Sequence, residues 1–135
     1  MRGMLTLVAL LLAGSAAHAA GYKAMQNFDC TYVSRAFEDE RNHRKTLSPV
    51  PDPQALTTLP TREIAHFVGG YLTAWSAVGS IYDKRPDAYN VYPPGLFPAL
   101  NKIDGFCASN PTKSILDALN DLMTSPDANP IQAMQ

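Results

Sequence analysis

The chain has 135 residues, 46% hydrophobic and 17% charged, and its eleven Lys/Arg against twelve Asp/Glu give a net charge of −1. That balance excludes the basic excess of a nucleic-acid-binding surface. Two cysteines and three histidines leave little material for a metal cluster.

Residues 1–19 have the layout of a secretory signal peptide. Arg2 is the basic n-region, Leu5–Ala13 the apolar h-region, and Ala17-His18-Ala19 the small-residue cleavage site, so Ala20 begins the expected mature chain. The apolar run falls short of the ~20 residues a membrane span needs, so cleavage is expected rather than anchoring. Export places the protein in the periplasm, with no stable membrane insertion after cleavage. Without Arg2, ten basic side chains face twelve acidic ones, a mature net charge of −2. An even pair of cysteines, Cys30 and Cys107, in an exported chain reads as one disulfide. Two buried thiols or an intermolecular pair are the alternatives.

Ala20–Asn27 is a short lead-in, and a first helix is expected from Asp29, a good N-cap, to Arg44. Cys30, Val33 and Phe37 form its core stripe, and the charged run Glu38–Lys45 is expected to project into water. Thr46–Pro60 is a linker, because Pro49, Pro51, Pro53 and Pro60 oppose a regular helix.

The longest periodic apolar stretch outside the N-terminus is Thr61–Val78, with Thr61 as its expected N-cap. Ile64, Val68, Tyr71, Trp75 and Val78 step by +4, +3, +4, +3 and share a stripe roughly 80° wide. The stripe is a core face or a protein-binding face. His66 and Ser76 are placed on the opposite, polar side. Gly69-Gly70 costs about 1 kcal/mol per residue in mid-helix, which a close helix contact would offset.

Ser80–Gly95 is a loop rich in Tyr and Pro, carrying Tyr82, Tyr89 and Tyr92. Folding back over the core is the preferred reading, and a binding surface is the alternative. A third helix is expected over Pro98–Ser109, with Leu96, Leu100, Ile103 and Cys107 in register. Asn110-Pro111 reads as the cap and first residue of a fourth helix running to Thr124, with Ile115, Leu119 and Leu122 on its apolar face. Asp127–Gln135 reads as a frayed tail, and the tail boundary is set at residue 125. The sum is an all-α fold: one small bundle of about four helices over residues 20–124, stapled by one disulfide.

No G-x-S-x-G, H-E-x-x-H or phosphate-cradling glycine loop is present. No catalytic residue, cofactor or metal site is therefore expected, and the chain is read as a non-enzyme. Its expected partners are other proteins, with a homodimer also allowed.

The run of motifs resembles a known family. Asp29-Cys30 opens a helix; Gly70-Tyr71-Leu72-Thr73-Ala74 lies in the next; Phe106-Cys107-Ala108-Ser109-Asn110-Pro111 precedes Ser114-Ile115-Leu116-Asp117-Ala118-Leu119. Over Phe28–Met123 this is similar to the HdeA/HdeB-like group of small exported helical bacterial proteins. The resemblance implies an all-helical fold with Cys30 and Cys107 bridged, and an acid-activated periplasmic holdase chaperone that serves in stress without ATP. The same features also resemble periplasmic immunity proteins that neutralise secreted toxins by surface complementarity, to which the loop Tyr82–Tyr92 would contribute.

Overall fold

A computed structural model describes residues 28–83, 90–129 and 131. The signal-peptide reading of residues 1–19, the lead-in 20–27 and Tyr89 lie outside the described residues.

Among the described residues four helices make up the fold: α1 (Cys30–Lys45), α2 (Leu59–Tyr82), α3 (Leu96–Ser109) and α4 (Ile115–Met123). No strand forms among the described residues, and the bundle carries the Cys30–Cys107 disulfide. None of these helices is long and apolar enough to cross a membrane.

Three of the four helices start for a local reason. Asp29 caps α1 by accepting the Tyr32 N–H at 2.7 Å. His43, Arg44 and Lys45 in its last turn lie at the negative end of the helix dipole. Gly95, at φ +92°, supplies the left-handed turn that lets the chain enter α3. Ser114 and Asp117 form a reciprocal capping box at the start of α4.

Two expected starts move. Asn110 does not cap α4; it closes α3, its N–H going to Cys107 O and its side-chain amide to Phe106 O. The intervening residues form a turn, and the capping box starts α4 at Ile115. Nor is Thr61 the cap of α2: that helix begins at Leu59 after Thr58, with Pro60 tolerated in the first turn.

The hub of the bundle is α3, which packs against each of the other three helices. At its C-terminal end, Cys107 meets Cys30 in the first turn of α1, both fully buried. A two-residue backbone ladder joins the same corner. Cys30 N–H donates to Lys113 O at 2.8 Å, and Ile115 N–H donates to Phe28 O at 2.9 Å. One disulfide and one short ladder thus fasten α1, α3 and α4 together.

The expected frayed tail is instead partly docked. Asn129 N–H donates to Val91 O at 2.8 Å, Lys102 pairs with Asp127, and Ile131 is buried. An apolar Ile six residues after Ser125-Pro126 completes the core edge, so the backbone turns back rather than leaving the domain.

Candidate functional site

The face of α2 that meets the core is rotated by roughly 60° from the expected stripe. Ile64 and Val68 are buried as expected, together with Thr61, Ala65, Leu72 and Gly79. Tyr71, Trp75 and Val78 lie at the edge of this face and are half-buried, with the Tyr71 and Trp75 rings 6.2 Å apart. Ser76, expected on the polar side opposite the stripe, faces inward enough for its hydroxyl to accept the Val91 N–H at 3.1 Å. Gly69 and Gly70 do not answer to a tight helix contact. A Cβ on Gly69 would sit 3.8 Å from Leu96, an ordinary contact, and one on Gly70 would meet nothing.

The tyrosines of the loop part company. Tyr92 is 1% exposed and belongs to the core, with Val91 beside it. Among the described residues its hydroxyl has no hydrogen-bond partner. Tyr82, at 61%, is exposed together with Ile81 at 74% on the last turn of α2. The covering role therefore falls to the end of the loop, and the outward surface to its beginning.

Of the histidines, His43 rests on Thr57 Oγ1 at 3.0 Å and both it and His66 are exposed. Among the described residues, no three of His, Cys, Asp and Glu converge as a metal-holding group.

The most constrained polar site is one the sequence reading missed. Glu40, in the run assigned to water, is 4% exposed. Its carboxylate accepts the Thr57 N–H at 2.9 and 3.0 Å, the Thr58 N–H at 2.7 Å, the Thr57 hydroxyl at 2.8 Å and the Thr61 hydroxyl at 2.9 Å. Arg44, one turn on, stands 3.7 Å away. Its guanidinium is itself held by the linker carbonyls of Pro51, Asp52 and Ala55. Burial pushes the Glu40 carboxyl up, but the hydrogen bonds from Thr57, Thr58 and Thr61 outweigh it and hold the group down to about 2.

Physically, Glu40 is a cap supplied by another helix. Thr58 uses no side chain to cap α2, so its N–H turns to the carboxylate, a negative charge at the positive end of the helix dipole. One side chain of α1 thereby fixes both the end of the linker and the start of α2. The signal was available in the sequence: Cys30, Val33, Phe37 and Glu40 step by +3, +4, +3 on one stripe. An acid on the core stripe needs several donors, and Thr57, Thr58 and Thr61 are a cluster of them.

Comparison with protein-family models, with curated proteins and with solved structures finds no match to this chain.

Proposed function

We propose that this chain is an exported, non-catalytic protein-binding protein that holds other proteins through the inner face of α2 when acid releases that helix. The observation that carries the reading is the unequal fastening of the bundle. A disulfide and a backbone ladder hold α1, α3 and α4, neither of which titrates in acid. The polar tie of α2's N-terminus runs instead through the Glu40 carboxylate.

The sign follows from linkage. A carboxylate lowered in the folded state stabilises the fold fully above its unfolded value and loses that contribution as pH falls through the folded one. For Glu40 the window runs from an unfolded value of about 4.3 down to about 2. Protonation leaves Arg44 without its charged neighbour and puts a hydroxyl beside the Thr57 and Thr58 N–H groups, where only the Thr57 and Thr61 hydroxyls can turn to accept from it. What α2 then uncovers is Ile64, Ala65, Val68 and Leu72. The motif resemblance to acid-activated holdases points the same way, and a buried disulfide suits an oxidising compartment.

The test uses oxidised residues 20–135 and a client that aggregates in acid, followed by light scattering. Protection is expected at about pH 2–3 and not at pH 7. Absence of protection in acid, with Trp75 fluorescence unchanged from neutral pH, sinks the reading.

A second reading draws on a different observation. From Phe67 to Tyr82, α2 carries no charged residue, and its outward positions include exposed Gly70, Ala74, Ala77 and Ile81. Such a face suits a specific protein partner at neutral pH, as in an immunity-type inhibitor of a secreted toxin. Tight binding of one protein at pH 7 that Ile81→Asp abolishes would favour it over the holdase.

A further inference from the structure

Beside the start of α2 lies a cleft of about 250 Å³ that shares only Ala65 with the face used in the proposed function. Leu56 from the linker, Ala65 from α2, and Leu96 and Phe97 from α3 give it apolar walls. Arg62 and His66, one helical turn apart on α2, stand at the same opening, with Gln54 opposite on the linker.

The electrostatics are one-sided. Neither the Arg62 nor the His66 side chain has an ion pair or hydrogen bond among the described residues. The acid nearest in sequence, Glu63, acts on Tyr32 of α1, whose phenol is pushed up by burial and then by the Glu63 charge. A fixed guanidinium at the mouth of an apolar cleft has the chemistry of an amphiphilic anion site: the tail displaces water from the walls, and the head takes the forked donors.

We propose that this cleft binds a carboxylate carried on an apolar group of medium length, its head on Arg62 with His66 beside it and its tail against Leu56, Leu96 and Phe97. The chemistry is shared by a free aliphatic acid and by a peptide C-terminus ending in an apolar residue. Because three chain segments meet there, an occupant also holds the linker and α3 against α2. The site is independent of the acid-release reading.

The experiment titrates oxidised residues 20–135 at pH 7 and follows the two histidine ring signals of that segment by NMR, assigned with His66→Gln. Octanoate represents the free acid and N-acetyl-leucine the peptide end; octanol, acetate and N-acetyl-leucinamide each lack one half of the chemistry. Saturable His66 shifts with octanoate or N-acetyl-leucine are expected at a Kd on the order of 1 mM. Which of the two binds tells the source. Arg62→Gln, at an exposed position, is expected to weaken binding about tenfold with unchanged circular dichroism. Octanol binding as well as octanoate, an unaffected Arg62→Gln, or no saturation by about 10 mM for either acid overturns the site.

Discussion

Glu40 concentrates more of this protein's polar order than any other side chain described, and its removal has a defined cost. In Glu40→Gln the charge is lost and the amide sets an NH2 among the Thr57 and Thr58 N–H groups, where only the Thr57 and Thr61 hydroxyls can turn from donating to accepting. The variant is expected to lose about 2–4 kcal/mol at pH 7, measured by urea denaturation. The gap to the wild type should narrow as pH falls from about 4.3 towards about 2, because the wild type alone loses the carboxylate's contribution there. A gap that stays constant over that range would mean the carboxylate does not carry the stability. Tyr92 offers the opposite case. Its ring is buried while its hydroxyl finds no partner. Tyr92→Phe keeps the ring and removes the unpaired group, so it should stabilise the fold by about 0.5–1 kcal/mol in thermal melts. A loss of stability would show that the hydroxyl is satisfied in solution.

At the scale of elements, α2 is long for reasons that its composition alone does not supply. It spans 24 residues with two adjacent glycines near its centre. Since a Cβ at Gly70 meets no atom, Gly70→Ala should stabilise the protein by about 0.5–1 kcal/mol, read as a raised unfolding midpoint in urea. Destabilisation instead would point to a close approach at Gly70 in an assembled form. The helices themselves were legible from a period near 3.6: Val33 and Phe37, Leu100 and Ile103, Ile115 and Leu119 all lie where their spacing puts them. What periodicity blurred was phase and edge. The stripe of α2 was aligned on its largest residues, Tyr71 and Trp75. The core instead takes the side lined by Ala65, Leu72 and Gly79, which leaves the Tyr71 and Trp75 rings at its edge. The starts of α2 and α4 moved because capping is a contest among nearby Thr, Ser and Asn residues. At α2 the winner was decided by a carboxylate 17 to 21 residues away, which no local pattern contains. The same non-local contact hid Glu40, since a run of charges reads as a wet surface until one of them is placed on the stripe of Cys30 and Val33.

At the scale of the whole molecule, two kinds of fastening divide the labour. The disulfide joins residues 77 apart, so the chain-entropy cost it removes from the unfolded state is about 4–5 kcal/mol. It does so at the corner where α1, α3 and α4 meet, away from the Glu40 tie of α2. Acid and reduction should therefore act on different parts of the fold. In the oxidised protein, lowering the pH from 7 to about 2 should change Trp75 fluorescence as α2 loosens, while much of the helical circular dichroism survives on the bridged helices. After reduction by a phosphine, which works in acid, the two signals should fall together and at a higher pH, because nothing covalent then retains α1 on α3. Coincident transitions in the oxidised protein would show that the bundle yields as one cooperative unit. In that case acid could not expose α2 without unfolding its neighbours, and a binding face would have to be found on the folded surface, where Ile81 and Tyr82 already stand in water.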